Sequence, residues 1–397
     1  MAYTEFLVDD PRTQTKWDKA MSMPYLQPRP LTQFMGAEGS GMPIIVKRQL
    51  QGAPGNKIVM QQAQALSNVG IGNNGDIEGS EESGVINNME VTIAERGNGV
   101  RAQAKMSLKY TSTNKAAFLS LNNKLLRDWG LEQWERDMTW CLCGLGNQNT
   151  YVGEGSSSIE TVNEKAPSTG RIFYGGQTAA GAIEEVDTLA DIDSTTNNLF
   201  GIAWIHYIHS KLQLMTRGIK PVEFAGGRFL WPWFIHPLQA YQLRLDSGFK
   251  NYANSAKDLK MNPQTGLMNF GTPGLKPMER PVAGAMAVID DFVIIPWQRC
   301  EDRVAEEVFS EAAVNVDAGV VADTSRIARS MILGQEAAFW AVGQPWQLYL
   351  KDFDYGRKPG IATDSLYGVA KGCYRHPVSG TYGEDTGVVI VDTLVNG

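Results

Sequence analysis

Residues 51–143 constrain this chain most, because there a long polar stretch with the period of a β-strand runs directly into a long amphipathic helix. In VRAQAKMSLKY, Val100, Ala102, Ala104, Met106, Leu108 and Tyr110 fall on one side, and Arg101, Gln103, Lys105, Ser107 and Lys109 on the other. A period of two marks a strand with one buried face. KIVMQQAQAL (57–66) and NMEVTIAE (88–95) read as further strands, and the acidic LSNVGIGNNGDIEGSEESG between them is rich in turn formers. So long an arm, with so few large apolar residues, cannot cover its own backbone edges. Residues 51–112 are therefore expected to lie on another subunit, which points to an assembly protein rather than an enzyme.

The rest of the composition narrows the class further. At 397 residues the chain has room for one large or two modest domains with a substantial core. A net charge of −7 argues against gripping nucleic acid through a basic surface. No apolar run approaches the ~20 residues that cross a bilayer. The opening MAYTEFLVDDPRTQTKWDK has early acidic residues and no apolar core, so no secretory leader is expected. Cys141, Cys143, Cys300 and Cys373 are too sparse for a disulfide framework, and no Asn-X-Ser/Thr sequon occurs. A reducing site of synthesis follows.

Along the chain, Pro11, Pro24, Pro28, Pro30 and Pro43 make residues 1–50 an extended arm with at most short helices. Thr113 or Asn114 is placed to cap a helix over 114–143, ~45 Å long at ~1.5 Å per residue. Its stripe is Phe118, Leu121, Leu125 and Trp129, continued after a phase shift near Gly130 by Leu131, Trp134, Met138, Cys141 and Leu142. Glu135 and Asp137 are assigned off the stripe. Residues 147–198 look like a surface excursion or domain boundary. A second helix is expected at 199–217, a buried strand at FLWPWFIHP (229–237) and a short helix at LQAYQLRLD (238–246). AMAVIDDFVIIP (285–296) reads as a strand pair around an Asp-Asp turn, and SRIARSMILGQEAAFWAVG (325–343) as a third amphipathic helix. QLYLKDFDYG, LYGVAKGCYR and GVVIVDTLV supply later strands. Helices and antiparallel-type strands without a βαβ rhythm make the class α+β.

Nothing in the chain has the pattern of a reaction centre. His206 and His209 have HxxH spacing, but no HExxH or second CxxC accompanies them, so a helix face is a better reading than zinc. His236, before Pro237, reads as a hydrogen-bonded core residue. Gly39-Ser40-Gly41 and Gly155-Ser156 are not nucleophile elbows, and there is no Walker loop or GxGxxG. Asp290-Asp291 suits a turn, and Trp231 and Trp233 suit a core. Lys57 lies in the arm, but no asparagine with an activating glutamate is identified for an isopeptide bond. No catalytic, cofactor or metal residues are assigned.

The order of these parts, together with MAYTEF, GNKIVMQQAQAL, KLLRDWGLEQWERDM, FIHPLQAYQLRLD, RIARSMILGQEAAFWAVG and DYGRKPGIATDSLYGVAKGCYR, resembles tailed-phage major capsid proteins of the Hong Kong ninety-seven fold. Within that fold it is similar to the podophage family of phage N-four-like capsids. The resemblance implies an N-arm at 1–50, an E-loop at 51–112 and a peripheral domain with a spine helix at 113–194. It further implies an axial domain at 195–325 and a return to the peripheral domain at 326–397. Inter-subunit contacts would then fall on Asn73, Asn74, Gly75, Asp76, Glu78, Arg101 and Lys105. It also implies pentamers and hexamers of one chain in an icosahedral shell, enclosing double-stranded DNA without sequence-specific binding. Expected partners are a separate scaffolding protein, a portal and a decoration protein, with no membrane. The location would be the virion, after synthesis in the bacterial cytoplasm. Rival readings are an encapsulin-like compartment shell, another virion component such as a tail tube, and an enzyme with an unrecognised site.

Overall fold

The computed structural model describes residues 30–63, 70–101, 115–144, 161–250, 284–297, 326–376 and 382–395, less a few short interior stretches. The chain begins there with a 3-10 turn at Pro30–Phe34 and strands β1 (Met35–Gly36) and β2 (Ile44–Lys47). Strands β3 (Lys57–Ala63), β4 (Ile86–Thr92) and β5 (Ala94–Arg101) precede helix α1 (Lys115–Cys143). Then come β6 (Val162–Asn163), β7 (Ile172–Gln177), β8 (Ile183–Val186) and helix α2 (Ile202–Leu214). Strands β9 (Val222–Phe224) and β10 (Arg228–Ile235) lead into helix α3 (Pro237–Leu245). Strands β11 (Ala287–Ile289), β12 (Phe292–Pro296), β13 (Arg326–Leu333), β14 (Ala338–Phe353), β15 (Lys358–Lys371) and β16 (Val388–Val395) follow.

These strands form two mixed sheets and a hairpin. One sheet has the order β1-β2-β14-β15-β5, with β6 also on β15; the other runs β11-β12-β10-β13-β16-β7-β8, with β9 on β10. β3 and β4 pair only with each other. The class is α+β.

The eight-stranded sheet is covered on both faces. Trp233, Ile235, Phe292, Ile294, Ile332, Val389 and Val391 point to one side, where Trp204, Ile205, Ile208 and Leu212 of α2 and Ala240 and Leu243 of α3 pack on them. Their strand neighbours Phe234, Val293, Ile295, Met331, Leu333, Val388 and Ile390 point to the other. There they meet Trp134, Met138 and Cys141 of α1, with Leu31 and Phe34 of the N-terminal turn. A strand buried on both faces shows no alternation, and every residue of β16 is buried.

That double cover explains a correction. The stretch 325–343, read from sequence as a helix, is β13, a turn and the start of β14. β13 pairs antiparallel with β16 over its whole length, Arg326 against Val395 through Leu333 against Val388. Ala, Met, Gln and Glu favour a helix locally, but a helix here would leave β16 without this partner, and the pairing prevails. The turn contains Glu336 at φ 55°, and a β-carbon on Gly334 would stand 2.6 Å from the Lys220 carbonyl oxygen. Residues 147–198 need a second correction. Rather than a simple excursion, they supply β7, which inserts between β16 and β8, and the buried Thr161 and Arg171.

The helix α1 also differs from its sequence reading. The cap at Thr113 or Asn114 and the side chain of Phe118 lie outside the described residues. Leu121, Leu125 and Trp129 are half-buried, while Trp134 and Met138 are buried as expected. The phase shift at Gly130 has a steric origin: a β-carbon there would lie 3.0 Å from the Trp346 ring, which stands edge-on to Trp129. Beyond it the helix is buried nearly all round, and Glu135 and Asp137 are fully buried although they stand off the apolar stripe.

Asp137 is held by the side chains of Arg96, Thr161 and Tyr367, each from a distant part of the chain. Arg96 of β5 forms an ion pair with it, while Thr161 Oγ1 and Tyr367 OH each donate to Oδ2 at 2.7 Å. Arg96 Nη2 also donates to Gln133 Oε1 at 2.7 Å. Burial, then the Asp137 carboxylate, holds the Tyr367 hydroxyl well above its ordinary value. Arg329 and Asp392 form a second buried pair across β13 and β16 at 2.7 Å, and Arg329 Nη1 donates to the Cys143 carbonyl at the end of α1. Burial alone would lower the Arg329 guanidinium, but Asp392 overrides it and raises it.

The helices α2, α3 and strand β10 match their sequence assignments to within a few residues. Gly201, the residue before α2, has no side chain to cap it. Asp246 Oδ2, just past α3, accepts from Ile202 N at 2.8 Å, and Gln177 Oε1 accepts from Ala203 N at 3.0 Å. His236 caps α3: Leu238 N donates to its Nδ1 at 3.1 Å, and its own N donates to Gln239 Oε1 at 2.9 Å.

Two outcomes follow. Arg96→Met, which leaves Asp137 buried and unpaired, is expected to lower unfolding stability by about 3–5 kcal/mol, with much of the loss recovered in Arg96→Met/Asp137→Leu. Chemical denaturation of the three proteins checks this. Burial lowers His236 from 6.5 to about 4, so the unfolded chain takes the proton first. Its contribution is complete above pH ~6.5 and vanishes as pH falls toward about 4, a loss of about 3 kcal/mol. His236→Asn keeps a capping side chain and should lose less stability than wild type over that window in thermal melts.

Candidate assembly surface

The hairpin β3–β4 alternates as the sequence requires: Ile58 and Met60 of β3 and Met89 and Val91 of β4 are buried. Their cover is Phe339, Ala341, Ala370 and Tyr374, on or beside β14 and β15 of the same chain. The sequence reading, in which residues 51–112 lean wholly on another subunit, therefore fails for the base of the arm. NMEVTIAE is likewise not one strand: it breaks at Ile93 between β4 and β5.

The break is fastened by backbone-like contacts. Asn163 uses its amide as a strand would, donating to Thr92 O at 2.8 Å while its Oδ1 accepts from Thr92 N at 3.0 Å. Arg375 and Asn88 exchange two main-chain hydrogen bonds, at 2.7 and 2.9 Å. A β-carbon on Gly368 would stand 2.0 Å from the Thr92 carbonyl oxygen, so only glycine lets the arm cross β15 here. From the break, β5 runs antiparallel to β15 from Ala94 against Tyr367 to Arg101 against Gly360.

On the open face of this hairpin and past it the arm offers apolar side chains to solvent. Val59, Ile77 and Ile86 are each more than half exposed. The far end of the β14–β15 hairpin does the same with Leu348, Tyr349 and Leu350. β2 pairs with β14 only over Ala338–Ala341, so among the described residues the remainder of that edge has no neighbour strand. Exposed apolar residues beside an unpaired edge are features of a surface that other chains cover.

Of the residues assigned to inter-subunit contacts, Asn73, Asn74, Gly75 and Lys105 lie outside the described residues. Asp76, Glu78 and Arg101 are exposed. The Arg101 guanidinium sits 5.4 Å from the centre of the Phe353 ring, which ties the arm's second half to the β14–β15 hairpin. Lys57 Nζ lies 3.3 Å from Glu90 on the exposed hairpin face. Two grooves beside the hairpin, about 360 and 460 Å³, share Gln62, Glu336 and Tyr374 in their walls, and the larger is lined mainly by polar atoms. Among the described residues no group of three or more His, Cys, Asp or Glu could hold a metal ion, and no helix is long and apolar enough to cross a membrane. Sequence reasoning missed Asn163, Gly368 and the Arg96–Asp137 pair. The apolar TWCLC after ERDM was the available signal that the charges beside it are buried.

A family model described as phage capsid protein matches residues 5–275. The chain belongs to the phage capsid protein family. It is a major capsid protein, a structural protein of the shell. A comparison with curated protein sequences finds no match. Among solved structures it is similar to the capsid of Ralstonia phage GP4, with 18% identity, a TM-score of 0.65, and 100% of this chain and 99% of that one covered. The Cyanophage Pam1 capsid aligns over 100% of both chains with 15% identity and a TM-score of 0.70. The acidic stable capsid of Helicobacter pylori bacteriophage KHP30 covers 99% of each, with 15% identity and a TM-score of 0.64. The shared fold is the Hong Kong ninety-seven type.

In this capsid protein the arm's angle to the body rests on Asn163 and Gly368. Asn163→Ala is expected to speed proteolysis and amide exchange within 57–63 and 86–92 several-fold, leaving β13 and β16 unchanged, by mass spectrometry. Gly368→Val should do so more strongly.

Proposed function

We propose that many copies of this chain assemble as pentamers and hexamers into an icosahedral shell around the double-stranded DNA of a tailed phage. The observation that supports this reading best is the arm, tied at its base to its own sheet by Asn163 and Arg375 while Ile77 and Ile86 stay exposed beyond it. A neighbour that accepts the arm gains main-chain hydrogen bonds and alternating side-chain contacts together. Contacts between unlike surfaces of this kind close into rings and then a shell.

In this reading residues 1–50 are the N-arm and the E-loop occupies 51–112, contacting neighbours through Asn73, Asn74, Gly75, Asp76, Glu78, Arg101 and Lys105. The helix α1 with the β14–β15 sheet forms the peripheral domain. The axial domain, centred on 195–325, is built on α2, α3 and β10–β12 and meets its copies around the symmetry axes. The net charge of −7 suits a lumen that holds DNA without gripping it. The chain performs no catalysis. It is made in the host cytoplasm and assembles with a separate scaffolding protein, a portal and a decoration protein.

Deleting residues 68–85 is expected to leave a folded subunit with an unchanged melting profile but no particles by sedimentation and electron microscopy. Normal shells from that variant would overturn the role of the arm. Expressing the chain alone should yield misshapen or absent shells that regain size once a scaffolding protein is supplied; correctly sized shells without it would refute that partner.

A further inference from the structure

Asn98 and Gly99 are adjacent and exposed in β5, the strand that ends the six-stranded sheet. Across the ladder Asn98 faces Thr363 and Gly99 faces Ala362 of β15. Among the described residues no strand lies on the other side, so that edge is open to water. Gly99 N donates to Oδ1 of Asn98, its own chain neighbour, at 2.7 Å. The contact folds the side-chain amide back onto the peptide unit that follows it. The amide carbon Cγ, one bond behind Oδ1, is thereby brought toward the Gly99 nitrogen. Glycine in second place leaves that nitrogen without a β-carbon to shield it, and a β-carbon there would stand 3.2 Å from Ala362 Cβ. Atoms already held in position react faster, because the ordering is done beforehand.

We propose that Asn98 is a site of spontaneous deamidation through attack by the Gly99 backbone nitrogen. The nitrogen gives its proton to water or hydroxide and bonds to Cγ, closing a five-membered imide ring. The Cγ–Nδ2 bond breaks, and the amide leaves as ammonia after taking up a proton. Water then opens the ring in one of two ways. Cleavage of the new N–Cγ bond gives aspartate. Cleavage of the original peptide bond gives isoaspartate, in which the main chain runs through Cβ and Cγ and gains one carbon.

Both products matter at this position. Arg96 and Asn98 are two apart and share a face of the strand, so a carboxylate at 98 stands beside the guanidinium that pairs with Asp137. Isoaspartate does more. The added carbon puts Val100 and Arg101 out of step with Ile361 and Gly360, and with them the Arg101 contact to Phe353. The last turns of the β5–β15 ladder then separate, and the second half of the arm loosens from the body.

Trypsin cuts after Arg96 and Arg101 and frees the peptide 97–101, in which Asn98 is the one asparagine. The purified chain is incubated at pH 8, folded or unfolded in urea, then digested briefly and weighed by mass spectrometry. The peptide is expected to show the amide-to-acid mass gain at least as fast from the folded protein as from the unfolded one. A several-fold slower gain in the folded protein overturns the proposal, because the fold would then restrain the reaction. Asn98→Gln, whose ring would need a sixth atom, should stay unchanged over the same time; an equal gain there overturns the attack by nitrogen. Amide exchange at Gly360 and Ile361 should rise several-fold in aged wild type but not in Asn98→Asp, which has the charge without the added carbon. An equal rise in Asn98→Asp overturns the lengthened strand. These readouts need only a folded chain, so they stand whether or not shells form.

Discussion

Asp137 brings its carboxylate into the crossing of α1, β5 and β15, where 1% of its side chain is exposed. A charge in that position, without partners, would cost several kcal/mol. Arg96, Thr161 and Tyr367 must therefore converge on it, and their convergence sets how the helix lies on the six-stranded sheet. Arg96 stands only a few residues beyond the break at Ile93, so the same pair also sets where the arm leaves the body. Arg329–Asp392 and Lys371–Asp385, at 2.7 and 2.8 Å, act alike at other junctions. Lys371 lies at the end of β15, and Asp385 Oδ2 also accepts from Ser168 N ahead of β7. Removing one partner of such a pair is costly, whereas replacing both by apolar residues of similar volume is often neutral.

From that fixed frame the rest follows in order. With α1 in place, Trp134 and Met138 cover one face of the eight-stranded sheet, and α2 and α3 cover the other. A body closed on both sides has little apolar surface left to offer from its centre. Exposed apolar side chains stand instead on the β3–β4 hairpin and the arm past it (Val59, Ile77, Ile86), at the far end of β14 (Leu348, Leu350), and on β10, α2 and α3 (Phe229, Leu214, Leu245). Shell assembly asks for such a division, a subunit that keeps its shape while presenting edges and apolar residues to neighbours. Stability of the particle then comes from many modest interfaces rather than from one site.

Particular elements show where reading the chain succeeded. The hairpin AMAVIDDFVIIP, the strand FLWPWFIHP and the helix LQAYQLRLD were legible because turn residues, apolar runs and a proline at the first helical position are local signals. β13 was not, because burial on both faces erases the period of two and leaves helix-favouring residues as the only cue. The burial of Asp137 and Glu135, which stand off the apolar stripe, was not legible because their surroundings come from residues far away in the chain. The base of the arm was misjudged for a related reason. Its alternation was legible, yet whether Ile58 and Met60 meet their own chain or another depends on where Phe339 and Tyr374 lie.

By itself the sequence determined the α+β class, most of the strands and helices, and the likeness to phage capsid proteins, since these rest on patterns within a dozen or so neighbouring residues. Only the tertiary structure decided that β13 is a strand, that Arg96 and Asp137 meet, and that Asn163 and Gly368 hold the arm. Each of those outcomes depends on which distant segment fills the space beside a residue. Tyr367 bonding Asp137 across 230 positions of chain is such a case, and no local pattern carries it.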